Sequence, residues 1–383
     1  MLSRIIALAA LAMFVMRPAD GRASAVLGVG ALLELAIGAS QPSALGIVPP
    51  LVVFIAAALT LASLVERAGL ADRAAAWLAS RARGRTVRLY WYTCALCALL
   101  TSVVSLDGAV VLMVPVLAAL NRRWSVPVSP LFVGTVVVAN VASLALPQGN
   151  PTNLVIMDRL GISAPDFTAH MFVPGAVAAM VVAAASAFRE RRSLAGSYEW
   201  REPGHVPLSA PERRACAALF AAAAAAWAAP FLGMAPWWPF AGAVALGAAV
   251  ARERPRVDVA ARVGLQVGAL VVLVDAVAIA PAAPAAPNLA VLLVVAAIVG
   301  AAAALANNLP VSVSTAGLLV GHAGYAAAIG LGAGSLALPR GSVATIIAVE
   351  SAGPGAPRLT ARALAPLAAV AVATATLLFW LGL

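Results

Sequence analysis

Four short polar interruptions lie inside apolar sequence, and they hold the residue types that could do chemistry. The first is VVSLDGAVVL at 103–112, with Asp107 followed by Gly108. A carboxylate at membrane depth is costly and is usually retained to hold a cation, carry a proton or neutralise an arginine. A capping role for Asp107 at the start of the next helix is compatible with any of these. The second is ALANNLPVSV at 304–313, where Asn307 and Asn308 offer amide donors and acceptors without charge. Pro310 suits the first turn of a following half-helix, and a plain turn with a cap is the alternative. The other two resemble each other: SLALPQGNPTNL at 143–154 and SLALPRGSVATI at 335–346.

In the first of that pair, Pro147 and Pro151 forbid continuous helix hydrogen bonding and Gly149 permits unusual backbone angles. Ser143, Asn150, Thr152 and Asn153 add polar side chains. The second has Pro339 and Gly341 with Ser335, Ser342 and Thr345. Freed carbonyls and half-helix ends at such breaks can face an ion or substrate. Arg340 stands where the first copy has Gln148. An arginine at that depth pairs with Asp107, binds an anionic substrate, or extends to water, and the ion pair is ranked first. Asp275, in LVVLVDAVAIA, is a further proton-site or ion-pair candidate. Asn140 is read as a helix–helix hydrogen bond.

The surrounding elements follow from apolar run length. The chain is 63% hydrophobic and 10% charged, with mean hydropathy +0.98, far from the roughly 25% charge of soluble domains. Apolar runs predict spans near 3–17, 24–39, 45–65, 128–157, 171–188, 215–232, 236–251, 263–281, 324–350 and 363–383. The N-terminal run is read as a retained helix rather than a cleaved signal. Regions 89–121 and 288–321 are too long for one span and short for two, which fits re-entrant hairpins. The expected fold is an all-α polytopic membrane protein: about 10 spanning helices plus two hairpins, in two inverted-topology repeats with broken helices. The halves are 1–188 and 215–383. The Arg-rich segment 189–214, with His205, is their cytoplasmic linker.

Charge placement supports that arrangement. The net charge is +10, and every basic residue is Arg. The arginines gather in loops 66–88, 189–214 and 252–262, as cytoplasmic loops of inner- or plasma-membrane proteins require. Segment 158–170 then lies outside. This clustering excludes a nucleic-acid partner as the meaning of the charge; the partner is the lipid bilayer. Cys94 and Cys97 form a C-x-x-C inside an apolar arm and are read as packing residues, with no further Cys or His nearby to complete a metal site. Neither H-E-x-x-H, G-x-S-x-G nor a P-loop occurs, so no enzyme activity, catalytic residue, metal or cofactor is expected.

These motifs resemble the arsenite/antimonite permease family of the ion transporter superfamily, which also holds sodium/proton antiporters and divalent-anion/sodium symporters. The resemblance rests on LDGAVVLMVPVLAAL (106–120), ANVASLALPQGNPTNLVI (139–156) and ANNLPVSVSTAGLLVG with IGLGAGSLALPRGSVATI (306–346). It implies a central site built from two hairpin tips and two broken helices. The chain departs from the family pattern at Leu106, where Asn is common, and at Arg340, where an apolar residue is expected. The expected function is an arsenite/antimonite-permease-like efflux carrier that exchanges a neutral or weakly acidic oxyacid for inward protons, with Na+ as the other coupling ion considered. Asp107 is the coupling site, and the breaks with Asn307 and Asn308 form the substrate cage. Sodium/proton antiport and sodium-coupled di- or tricarboxylate transport are the alternatives, with a channel as a different class. A homodimer and a separate ATPase subunit are both compatible with the chain.

Overall fold

The computed structural model describes residues 21–38, 48–200, 207–232, 237–252, 288–316 and 319–383, with a few isolated positions. Most of the expected spans 3–17 and 263–281, with Asp275 and His205, lie outside the described residues. The described chain is helical, apart from one isolated bridge between Arg85 and Ser197.

The helices are α1 (Gly21–Ala36), α2 (Val48–Arg67), α3 (Leu70–Ala82), α4 (Thr86–Val103), α5 (Leu106–Trp124), α6 (Val128–Ala142), α7 (Pro151–Leu160), α8 (Ala164–Arg189), α9 (Arg191–Leu194), α10 (Ala210–Ala228), α11 (Trp237–Ala251), α12 (Leu289–Ala306), α13 (Asn308–Ala316), α14 (His322–Gly332), α15 (Val343–Ala352) and α16 (Ala361–Leu381). Among the described residues, α8, α12 and α16 are each long and apolar enough to cross a membrane. The predicted spans 128–157 and 324–350 are interrupted where expected. The first divides into α6 and α7 around a 3-10 turn at Pro147–Gly149, the second into α14 and α15 around one at Gly334–Ala337. Short polar side chains start these elements. Ser163 caps α8 at Asp166, Asn288 caps α12 at Val291, and Ser209 with Glu212 forms a capping box on α10. The Ser163 cap starts α8 seven residues before the expected 171.

One expectation is corrected. Segment 66–88 is not simply a loop: it contains α3, bent 72° from α2. Its Ala75, Leu78, Ala79 and Ala82 recur at helical spacing and are buried. Arginines on its other face gave the segment its loop-like composition.

Contacts define two ends of the helical body. At one end Asp72 of α3 pairs with Arg122 at 2.9 Å and Arg123 at 3.3 Å, at the close of α5. Arg73 pairs with Glu212 at the start of α10 and also donates to the Pro207 carbonyl at 2.7 Å. The Arg73 guanidinium, with Ser209, holds the Glu212 carboxyl down to about 2. Tyr198 N–H donates to the Gly84 carbonyl at 3.0 Å. Arg189 reaches the Arg362 carbonyl at 3.5 Å. The opposite end is aromatic: His170 of α8, His322 and Tyr325 of α14 and Phe379 of α16 form one ring cluster, with Tyr325 and Phe379 centroids 5.1 Å apart.

The hairpins take their directions from these ends. Helix α4 runs beside α6 in the same sense, with Tyr90 against Gly134, Cys97 Sγ donating to the Thr135 carbonyl at 3.4 Å, and Ser102 beside Gln148. The α4–α5 hairpin therefore begins and ends at the Arg-rich end. Helix α12 runs beside α14 in the same sense, with Gly330 against Ala296 and Gly300, Gly334 against Gly300, and Gly341 against Ala304. The α12–α13 hairpin therefore opens toward the aromatic end. Cys94 and Cys97 are free and buried, packed in the core shared by α4 and α6.

Candidate functional site

The two breaks have nearly the same backbone. Leu146 (φ −137°, ψ 149°) and Leu338 (φ −125°, ψ 145°) are both extended. So are Asn150 (φ −142°, ψ 131°) and Ser342 (φ −127°, ψ 135°). Gly149 N–H donates to Leu146 O at 3.0 Å, and Gly341 N–H to Leu338 O at 3.0 Å. Each glycine lies against the serine carbonyl six residues earlier. A Cβ on Gly149 would fall 2.6 Å from Ser143 O, and one on Gly341 would fall 2.1 Å from Ser335 O. Only a residue without a side chain permits that return of the chain.

The hairpin tips also correspond. Ser105 (φ 124°) and Asn307 (φ 79°) are non-glycine residues held at positive φ, an uncommon conformation that accumulates at functional sites. Each side chain then accepts an N–H of the following helix: Ser105 Oγ from Gly108 at 3.3 Å, Asn307 Oδ1 from Leu309 at 3.2 Å. The capping role considered for Asp107 is thus filled by Ser105. The Asp107 carboxylate is left with Oδ1 buried and without a hydrogen-bond partner among the described residues. Ser105 was not among the expected site residues; its signal was a serine two positions before the acid in SLDG.

The breaks are held in place differently. In the first, Asn153 Nδ2 donates to Ser143 O at 2.8 Å and Leu146 O at 3.0 Å, closing the break from within. Asn150 Oδ1 caps α7 at Thr152 N–H, 3.0 Å away, with Pro151 at the first helical position. Gln148 reaches across to the Ser102 carbonyl at 3.2 Å. In the second, the hairpin supplies the ties. Asn307 Nδ2 donates to Arg340 O at 3.2 Å, and Asn308 N–H donates to Gly341 O at 2.8 Å. Ser335 and Ser143 bond back to the carbonyls of Gly332 and Asn140, three residues earlier. Asn140 makes the expected interhelical bond, Nδ2 to Thr345 Oγ1 at 3.2 Å, joining α6 to α15.

The halves cross over at this level. Helix α15, which follows the second break, packs on α5, whose first turn carries Asp107. Helix α7, which follows the first break, packs on α13, whose first turn carries Asn308. Six buried side-chain oxygens here have no hydrogen-bond partner among the described residues: Asp107 Oδ1, Asn140 Oδ1, Thr152 Oγ1, Asn153 Oδ1, Asn308 Oδ1 and Ser342 Oγ. An unpaired buried polar atom costs about 1–3 kcal/mol. Oxygen acceptors concentrated in this way suit a cation or a hydrogen-bonding solute.

Arg340 departs from expectation. Its side chain is exposed. Ion pairs of the described residues include Arg73–Glu212 and those of Asp72 with Arg122 and Arg123. The first-ranked Arg340–Asp107 pair is not formed. Asp275, the other possible partner, lies outside the described residues. No group of three metal-ligating side chains occurs among the described residues.

Broken helices, strained tips and exchanged half-helices are arranged here about one level of a polytopic helical body. The citrate transporter family, CitMHS, has a sequence profile that matches residues 11–327, more than four-fifths of the chain. The chain belongs to that family. That family and the relatives below are membrane transporters and membrane proteins, and the chain is accordingly a multi-pass membrane protein. Among curated proteins it is similar to the "Putative arsenical pump membrane protein" of Bacillus subtilis (strain 168), 28% identical over 152 residues, 38% of this chain and 34% of that protein. It is also similar to the inner membrane protein YbiR of Escherichia coli (strain K12), 34% identical over 84 residues, 22% of this chain and 23% of that one. The 46 kDa membrane protein of Mycobacterium leprae (strain TN) is 26% identical over 113 residues, 30% of this chain and 26% of the relative. The matches thus span between about a quarter and a third of the relatives' lengths.

Proposed function

We propose that this CitMHS-family transporter is an ion-coupled secondary carrier working by alternating access between two inverted repeats. The observation that supports this most is the exchange of half-helices: α15 on α5 and α7 on α13. Two hairpins opening toward opposite ends, with matching breaks and tips, are what an inverted-topology duplication produces. By the positive-inside rule the Arg-rich end is cytoplasmic, so the first hairpin enters from inside and the second from outside. Rocking one half against the other then exposes the same level alternately to each side.

The substrate we infer is a small multivalent organic anion of the di- or tricarboxylate class. Arg340 carries this reading. It is a guanidinium without a carboxylate partner among the described residues, and the Asn307 amide holds its backbone. A fork of donors in that setting is built for carboxylate oxygens. Asp107, with its unpartnered acceptor, is the coupling site for H+ or Na+. A neutral oxyacid such as arsenite is the second reading, favoured by the arsenical pump relative. Reconstituted vesicles offered citrate, a dicarboxylate or arsenite, under imposed sodium and pH gradients, test both. Gradient-driven carboxylate uptake is expected; driven movement of arsenite alone would select the second reading, and no ion dependence would defeat the coupling scheme.

A further inference from the structure

At the Arg-rich end, away from the breaks, lies a cavity of about 510 Å³. Its walls are the start of α4, the last turn of α8, and α9 with the following segment 195–197. Arg85 and Arg191 stand on different walls, and Val87, Ala187 and Leu194 make the rest apolar. The floor is fixed by backbone: Thr86 N–H donates to Gly196 O at 3.4 Å, and Arg85 bridges to Ser197. One turn deeper, the Tyr90 hydroxyl donates to Ala183 O at 2.8 Å and locks α4 to α8. The walls therefore keep their spacing.

Three features make this cavity receptive to a phosphodiester. First, α4 starts at Thr86 with no side-chain cap and no acid in its first turn, so its N-terminal dipole end is not offset locally. Second, Arg85 joins none of the ion pairs of the described residues. Arg191 spends one N–H on Phe188 O at 3.1 Å while its guanidinium lies 4.6 Å over the Phe188 ring, which holds the remaining donors in a defined plane. Third, large apolar side chains next to the lining face outward: Val87 of the lining, Trp91 one turn further along α4, and Phe188 beneath the Arg191 guanidinium are 42%, 42% and 68% exposed. A soluble anion has no use for that rim, whereas acyl chains do. The neighbouring charged groups are Arg88, Arg189 and Arg192, countered by Glu190 and Glu199.

We propose that this cavity is a binding site for the headgroup of an anionic phospholipid, with Arg85 and Arg191 on the phosphate and the acyl chains along Val87, Trp91 and Phe188. Basic pockets between helices at the cytoplasmic surface recognise lipids by this chemistry. Because the cavity joins α4 of the first hairpin to the segment linking the halves, an occupied site would brace that hairpin's base.

Native mass spectrometry of the purified full-length protein with added cardiolipin, or with phosphatidylcholine of matched chains, tests this. Cardiolipin should be retained on the intact protein and phosphatidylcholine should not. Arg85→Gln with Arg191→Gln should lower retention about tenfold or more. Arg358→Gln, an exposed arginine elsewhere, should leave it unchanged. If the double variant does not fold, either single variant should still show a several-fold loss. Equal retention of both lipids, displacement of cardiolipin by millimolar inorganic phosphate, or unchanged retention in folded variants would each overturn the proposal.

Discussion

The two break glycines allow a graded test, because the structure states how far each site must move. A Cβ on Gly341 would lie 2.1 Å from Ser335 O and 2.7 Å from Ala304 Cα, whereas real Cβ contacts essentially never fall below 3.0 Å. Gly341→Ala therefore needs about 0.9 Å of displacement, 3.0 minus 2.1, and it presses on two backbones at once. One of these, Ala304, belongs to the hairpin whose tip holds the break through Asn308 N–H to Gly341 O. Gly149→Ala needs about 0.4 Å, 3.0 minus 2.6, and presses only on Ser143 within its own break. Overpacking costs about 1–3 kcal/mol and sometimes more, while Gly→Ala recovers about 0.4–1 kcal/mol from the unfolded chain. Gly341→Ala should thus lose about 2–3 kcal/mol, and Gly149→Ala about 1 kcal/mol or less. At 1.4 kcal/mol per tenfold, the first loss is enough to shift hairpin populations by well over an order of magnitude. Thermal unfolding in detergent and initial transport rates in vesicles report both. Gly341→Ala with wild-type stability and rate, or Gly149→Ala as the more damaging change, would refute the contact argument.

Asp107→Asn should abolish gradient-driven transport while membrane insertion and abundance stay near normal; vesicle flux normalised to protein tests it, and undiminished driven flux would remove Asp107 from coupling. Arg340→Gln, which installs the residue of the first break, should raise the half-saturating concentration of a carboxylate at least about tenfold and leave the pH optimum in place. A shifted pH optimum with unchanged half-saturation would instead mark a carboxylate partner for Arg340. The Arg73–Glu212 tie should be acid-labile. Glu212 is held below its ordinary value of 4.5, down to about 2, so its contribution is complete above about 4.5 and fades as pH falls toward 2. The difference in melting temperature between wild type and Glu212→Gln should therefore be largest near neutral pH and vanish across that acid window.

What the sequence disclosed about this transporter follows from how costly its features are. Pro147, Gly149, Pro151 and Asn153 in an apolar run contradict a plain span, so the breaks were legible to within about four residues. The tips at Asp107 and Asn307 were legible for the same reason. Helix α3 was obscured because its signal is alanine, which reads as neutral, while its arginines read as loop. The Arg340–Asp107 pair was inferred from a general need, that deep charges find partners. Partner identity depends on the register between two halves, which no local pattern encodes.

The asymmetry of the breaks was also illegible, though its residues were in view. The first copy keeps Asn153 where the second has Thr345, and that difference decides which break is closed from within its own segment, although Gln148 also ties the first break to its hairpin at the Ser102 carbonyl. An amide reaches two carbonyls of its own segment, Ser143 and Leu146. The Thr345 hydroxyl instead meets Asn140 of the other half. The second break must therefore borrow its closure from the Asn307–Asn308 tip. Under the alternating-access scheme proposed above, a second hairpin that swings away would take those two bonds with it, whereas the first break would lose only the Gln148–Ser102 bond and keep the two that Asn153 makes. In that scheme the first break would be the more fixed wall, and the second, with Arg340 on it, the wall that answers to hairpin movement.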